Sequence, residues 1–241
     1  MGTTIKDFGI VLKENDAGEN SKRLILLTKT RGKAVVFARG AKGAKSKLSV
    51  PKLSYCEFVF YDGGQFLSLA QVSPIAQFGN IVQNYDAFCV AAFILELTDK
   101  MLLSNMDSED ALNLLLLALS RLDKSYEPSL IFGAFAFKML QKEGFAPTTQ
   151  NCALCQSPLT DIFEKMRFGS EGFLCTACAK RVQTIACSPK ILAAVKYILD
   201  APIEKIFNFK ASPDILQVLQ QIAILFLHHN VDSQLKSLDF F

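Results

Sequence analysis

Cys152-Ala153-Leu154-Cys155 and, nineteen residues on, Cys175-Thr176-Ala177-Cys178 decide how the second half of this chain folds. Two C-x2-C pairs at this separation bring four thiolates to one point, where a borderline-soft cation such as Zn2+ is held tetrahedrally. All four positions are then filled by protein, so the site is structural and offers substrate no open place. Between the pairs, Met166-Arg167-Phe168-Gly169-Ser170-Glu171-Gly172-Phe173-Leu174 reads as two short strands about a turn that carries two glycines. The expectation is a small zinc ribbon over residues 150–180 or so. Disulfides are the competing reading, but seven cysteines are an odd number and nothing else in the chain has a secreted character. Cys56, Cys89 and Cys187 are then expected as reduced core thiols.

Upstream of the cysteines the side-chain rhythm has two parts. Phe8 to Lys13, Lys22 to Thr28, Lys33 to Arg39, Leu53 to Tyr61 and Phe66 to Val72 are short, rich in Val, Ile, Leu, Phe and Tyr, and divided by Gly, Asn, Asp and Ser. The fourth alternates, with Cys56, Phe58 and Phe60 on one face and Tyr55, Glu57, Val59 and Tyr61 on the other, before Asp62-Gly63-Gly64 turns the chain back. Five strands in so short a stretch predict a small barrel of the OB-fold kind, whose open face and loops bind single strands. From Asn84 the period becomes helical: Phe88, Ala91, Ala92 and Leu95, then a second helix from Asp107 to Asp123, and a third from about Pro128 to Glu143 that is apolar nearly all round. Gly144 and Pro147 stop the third, and Pro189 and Pro213 open two more, over Ser188 to Asp200 and Ser212 to His229. The fold class expected is α+β and multidomain: a five-stranded barrel over residues 1–80, then an all-helical domain over 81–241 with the zinc ribbon inserted in it.

Charge separates these parts again. Ten Lys and Arg residues lie between Lys22 and Lys52, a stretch without Asp or Glu. Residues 1–80 carry 12 basic and 6 acidic side chains, a net of +6, whereas residues 81–241 carry 14 and 17, a net of −3. Such an asymmetry points to a polyanion, and nucleic acid is the commonest one in a cell. Arg31, Lys33, Arg39, Lys42, Lys45 and Lys47 are the expected nucleic-acid contacts, with Phe37, Tyr55 and Tyr61 as candidate stacking rings. Six neutralised phosphates would give log affinity a slope of roughly −4 to −5 against log salt. The glycines of Arg39-Gly40-Ala41-Lys42-Gly43-Ala44-Lys45-Ser46-Lys47 let backbone approach phosphate, but no Walker A spacing runs through them.

No paired acid, base or nucleophile accompanies these features, so the chain is read as a non-enzyme. His228 and His229 sit at the end of the last helix, where a cation suits the dipole. No stretch reads as a signal peptide or bilayer span, and a cytoplasmic protein is expected.

The order of parts resembles the RecO family of bacterial recombination mediators. The matching stretches are Gly9-Ile10-Val11-Leu12-Lys13, Gly32-Lys33, Ala38-Arg39-Gly40-Ala41 with Lys45-Ser46-Lys47, Leu67-Ser68-Leu69-Ala70-Gln71, and Gly144-Phe145-Ala146-Pro147 leading into Cys152-x2-Cys155, closed by Phe173-Leu174-Cys175-x2-Cys178. The resemblance implies an OB-fold, a helical domain with inserted zinc ribbon, and a role without bond making. It further implies binding to single- and double-stranded DNA, strand annealing, docking of the acidic C-terminal tail of single-stranded DNA-binding protein, and work with RecR to load RecA at the bacterial nucleoid. In many relatives a basic residue of the central helix stands near the position of Gly133; here Gly133-Ala134-Phe135-Ala136 is neutral, with Lys138, Lys142, Arg121 and Lys124 as substitutes. The alternative is an RNA-binding accessory protein built from the same barrel and ribbon, since phosphates do not report the sugar.

Overall fold

Alternation closes the first sheet. In the computed structural model, which describes residues 3–43, 46–64, 66–103, 108–159, 166–231 and 234–241, the buried members of each strand point to one interior. Strands β1 Thr3–Asp16, β2 Ser21–Thr28, β3 Gly32–Arg39, β4 Ser54–Asp62 and β5 Leu67–Gln77 form a closed barrel in the order β1-β2-β3-β5-β4, with β4 returning to β1. The pairs are antiparallel except β3 with β5. This is the expected OB-fold, and Leu24, Leu26, Val36, Ala38, Cys56, Phe58, Phe60 and Leu69 fill it.

Two strands outrun their sequence signals. β1 extends from Thr3 to Asp16, not Phe8 to Lys13, because it serves two neighbours: Thr3 to Ile10 pair with β4 and Gly9 to Asp16 with β2, across an irregularity between Val11 and Lys13. At the crossover Gly9 lies so close to β2 that a Cβ there would stand 2.3 Å from the Leu27 carbonyl oxygen. β5 starts at Leu67 and continues past Val72 to Gln77. Pro74 is accommodated because the register slips between Tyr55 and Cys56, the kind of bulge in which a proline needs no ladder donor.

The chain packs as two units, Met1–Lys124 and Ser125–Phe241. The strand-to-helix change at residues 80/81 therefore precedes the packing boundary, and helices α1 Tyr85–Met101 and α2 Glu109–Asp123 fold with the barrel. Asn84 caps α1 by accepting from Ala87 N–H at 3.0 Å. Asp107, expected at the start of α2, lies outside the described residues.

In the second unit α3 Pro128–Lys142 is buried from Leu130 to Phe137 without a break, as its all-round apolarity predicts. It ends as a Schellman motif: Phe145 N–H donates to the Leu140 carbonyl at 2.8 Å, Gly144 N–H to Gln141 at 3.1 Å, and Gly144 takes φ +86°. α3 crosses α6 Pro213–Asn230 at Gly133, where a Cβ would stand 2.7 Å from Leu219 Cγ. The position thus has no room for the basic side chain that the resemblance leads one to look for near it. α5 Pro189–Asp200 also packs on α3. Lys138 Nζ donates to the carbonyls of Leu199 and Ala201, both at 2.9 Å, capping the end of α5. Burial lowers the Lys138 ammonium below its usual value, against the pull of Asp200.

Candidate metal centre and nucleic-acid interface

The ribbon is built from β6 Arg167–Gly169, the two-residue turn Ser170-Glu171, β7 Gly172–Leu174, the short helix α4 Thr176–Ala179 and a further strand, β8 Ile185–Ala186. The sheet order is β7-β6-β8, so the ribbon runs beyond Lys180, and Cys187 N–H donates to the Met166 carbonyl at 2.9 Å to close it. A two-residue strand leaves no periodicity for sequence to show.

Each cysteine pair lies in a turn held from outside. Ala153 N–H donates to the Phe173 carbonyl at 2.9 Å, which ties the first turn to β7. Cys152 N–H reaches the Ser157 carbonyl at 2.8 Å, with Gln156 at φ +63° letting the chain fold back. On the other side Ala179 N–H returns to the Cys175 carbonyl at 3.0 Å. The four Sγ atoms of Cys152, Cys155, Cys175 and Cys178 all lie within 4.8 Å of one another, and Cys155 and Cys175 are 3.7 Å apart. A tetrahedron with metal–sulfur bonds of about 2.3 Å has an edge of about 3.8 Å, so the donor set fits one such ion.

The thiol electrostatics fit it too. Burial alone would raise Cys152, but N–H groups of Cys155, Cys175 and Leu154 outweigh it and hold the thiol below its usual value; the Cys175 N–H is 3.4 Å from Cys152 Sγ. The Ser157 hydroxyl, 3.3 Å from Cys155 Sγ, and the Ser157 backbone bring that thiol down to about 6. Hydrogen bonds to Cys155 and Cys175 push Cys178 up to about 12. Thiols this close ionise together only around a cation, so the cluster is one that could hold a metal ion.

The barrel carries the second candidate site. Reading across the register, Arg23 stands opposite Phe37, Phe37 beside Ser68, and Ser68 opposite Tyr61. All four are partly or fully exposed and alternate with the buried Leu24, Val36, Leu69 and Phe60. Phe66, 58% exposed on the β4–β5 connection, sets its ring edge-on to Phe37 with centroids 5.4 Å apart at 81°. Arg39 follows on the same outward face of β3, at its exposed end. The result is a strip of cation, ring, hydroxyl and ring running over four strands.

The expected contacts divide between places. Arg31 lies on the β2–β3 turn, about 26 Å along β3 from Arg39 at 3.3 Å per residue. The turn is pinned by buried Asp7, whose carboxylate accepts from Thr30 Oγ1 at 2.7 Å and Thr30 N–H at 3.2 Å. Lys33 is engaged within the fold, where its Nζ pairs with Asp99 Oδ1 at 2.9 Å, and donates to the Asp99 carbonyl and to Leu102 at 3.2 Å, closing the C-terminus of α1. Lys42 pairs with Asp16 at 3.0 Å and donates to Gly18 at 2.8 Å. Lys47 is exposed on the loop after Arg39, and Lys45 lies outside the described residues. Tyr55 is at the far end of β4 from Tyr61, where burial raises its hydroxyl against the effect of Lys29. Arg23, Ser68 and Phe66 escaped sequence reading because only register shows which strand faces them. His229, at the end of α6, pairs with Glu171 of the ribbon turn at 3.0 Å.

Comparison with known proteins agrees with both halves. The family model "Recombination protein O N terminal" matches residues 1–78 and "Recombination protein O C terminal" matches 82–239. A protein named DNA repair protein RecO from Caldicellulosiruptor saccharolyticus is 30% identical over 240 residues, covering 98% of this chain and 97% of its own. Its namesake in Acetivibrio thermocellus is 27% identical over 242 residues, with 98% and 95% covered. Another, from Anaeromyxobacter sp., is 26% identical over 236 residues, with 96% and 93% covered.

Proposed function

The chain belongs to the recombination protein O family, and from that premise we propose that it is a recombination mediator in DNA repair that makes and breaks no covalent bond. It binds single- and double-stranded DNA, anneals complementary strands, and with RecR helps RecA load onto strands coated by single-stranded DNA-binding protein, whose acidic C-terminal tail it engages. It works in the cytoplasm, at the nucleoid. In this reading residues 1–80 hold DNA, residues 81–241 supply the helical part, and Cys152, Cys155, Cys175 and Cys178 hold a structural Zn2+. Among the described residues no helix is long and apolar enough to cross a membrane.

The observation that carries the reading is the strip Arg23, Phe37, Ser68 and Tyr61 with Phe66 beside it. Rings offer every base a stacking face, and cations alongside meet the backbone, which is how single strands are held without sequence preference. Contact through one face of the bases and through phosphate leaves pairing edges free, as annealing requires.

The test is annealing of complementary DNA strands coated with the cognate single-stranded DNA-binding protein, intact or without its tail. Tail-dependent annealing is expected. Annealing indifferent to the tail reduces the protein to a basic DNA binder, and tighter binding to RNA of the same sequence would favour the accessory-protein alternative. Metal is tested separately: Cys152→Ser is expected to lose zinc and soluble protein together, because binding and folding are linked. A zinc-free variant that melts normally would count against a structural ion.

A further inference from the structure

The ribbon has a concavity of its own. It has a volume of ≈ 460 Å3 and is lined among others by Arg167, Lys180, Thr176, Thr184 and Cys187. Arg167 and Lys180 are exposed, and among the described residues neither has an ion-pair partner. The side of the ribbon that carries Glu171 is answered by His229, so the one acidic group on the β6–β7 turn has a partner elsewhere. Cys187 lies buried in the floor, where burial pushes its thiol up to about 12, so it stays neutral and supplies no counter-charge. Two hydroxyls and two cations thus face one hollow that, among the described residues, is lined by no carboxylate and no aromatic ring.

We infer that this hollow is a second nucleic-acid contact, taking a phosphodiester of the DNA backbone through Arg167 and Lys180 with Thr176 and Thr184 as further donors. A guanidinium fork and an ammonium suit phosphate oxygens, and hydroxyls add uncharged donors. Its described lining offers cations and hydroxyls where the barrel strip offers rings, so it is a backbone contact that reads no sequence. The volume exceeds a single phosphate group and seats the adjoining sugar as well. The inference rests on the proposed DNA-binding role and deepens it, since annealing needs two strands held at once and this hollow lies on the second unit, not on the barrel.

A dication bound by four thiolates carries two net negative charges, so charge balance at the metal centre is the rival role for the same two cations. The experiment compares wild type, R167A/K180A and the charge-preserving R167K/K180R in the full chain, using labelled oligothymidylate at a series of salt concentrations. Thermal midpoint and zinc content are measured alongside. Two lost phosphate contacts should make the slope of log affinity against log salt shallower by about 1.4 for the alanine pair, at about 0.7 per contact, with the lysine-arginine exchange restoring it. Zinc content and midpoint should not move. An unchanged slope overturns the inference, and an unchanged slope with lost zinc assigns the two cations to charge balance. Barrel variant F37A/R39A separates the two levels: if it weakens binding while R167A/K180A does not, the hollow fails and the DNA-binding role stands. If wild type itself does not bind, both fail.

Discussion

Phe66→Ala separates stacking from charge on the barrel strip. The ring is 58% exposed and touches Phe37 edge-on at 5.4 Å, so the fold loses one aromatic pair and little buried area. Such a pair contributes about 0.5–1.5 kcal/mol. In a domain of this size that moves the thermal midpoint by at most about 6 °C. A base stacked on the ring contributes about 1–3 kcal/mol, so binding to oligothymidylate should weaken by about 5- to 150-fold. No charge changes, and the salt slope should therefore stay where it was. Fluorescence anisotropy titrations at several salt concentrations read both quantities from one data set. If affinity stays within about twofold of wild type while the midpoint falls, Phe66 merely covers Phe37 and the strip is not a stacking platform. If affinity and slope fall together, the loop has moved Arg39 and the variant reports charge.

Lys33→Met leaves Asp99 and the last carbonyls of α1 without their cation; because both side chains keep slight exposure (16% and 11%), the expected cost is about 2–4 kcal/mol in a urea titration, with the salt slope unaltered. A loss of slope without loss of stability would return Lys33 to the DNA face. Gly133→Ala puts a methyl group 2.7 Å from Leu219 Cγ, between two buried helices that cannot part freely, and should cost about 1–3 kcal/mol by the same titration; a neutral outcome would show that α6 yields. Alkaline pH should weaken the fold, since burial raises Cys56 to about 11 and Cys187 to about 12 from an ordinary 9. Unfolded thiols release protons from about pH 9 while folded ones keep them, so their contribution is whole below that value and fades as pH climbs through the folded ones. Urea midpoints that hold constant over this range, or that fall equally in Cys56→Ala, would refute it.

What could be read in the sequence follows from how local its cause is. The gathering of Cys152, Cys155, Cys175 and Cys178 at one point was legible because a C-x2-C pair turns both its thiols the same way, and the burial of Cys56, Phe58 and Phe60 because a strand half-buried in a barrel must alternate. Gly144 gave the end of α3 for the same reason: the left-handed turn is a property of one residue. Long-range features were not legible. The fifth strand, expected to end at Val72, runs on through Pro74 to Gln77 because of a register slip opposite Tyr55 and Cys56 that only the fold shows. Lys33 reads as one more free cation until α1 brings Asp99 to it across 66 residues. β8 has two residues and exists only because β6 offers an edge. Phe66 joins the candidate strip through its contact with Phe37, which no spacing announces.

That distinction changes the electrostatics. Ten cations between Lys22 and Lys52 suggest six phosphate contacts when taken as a list. In the fold Lys22 pairs with Glu14, Lys29 with Glu109, Lys33 with Asp99 and Lys42 with Asp16. Each acid comes from outside the basic stretch, so a segment with no acid of its own is partly neutralised by its neighbours in space. Arg23, Arg31, Arg39, Lys47 and Lys52 keep no acidic partner among the described residues, and Arg31 lies at the other end of β3. On the proposed reading a single strand laid on the strip would meet Arg23, Arg39 and the following Lys47, for a slope of about −2 at 0.7 per contact. Adding Arg167 and Lys180 makes five contacts and about −3.5. A measured slope near −2 would confine the DNA to the barrel, and one near −3.5 would bring in the ribbon. A slope beyond −4 would mean that the internal ion pairs open when DNA binds, with Lys42, held to Asp16 at the exposed rim, the first to let go.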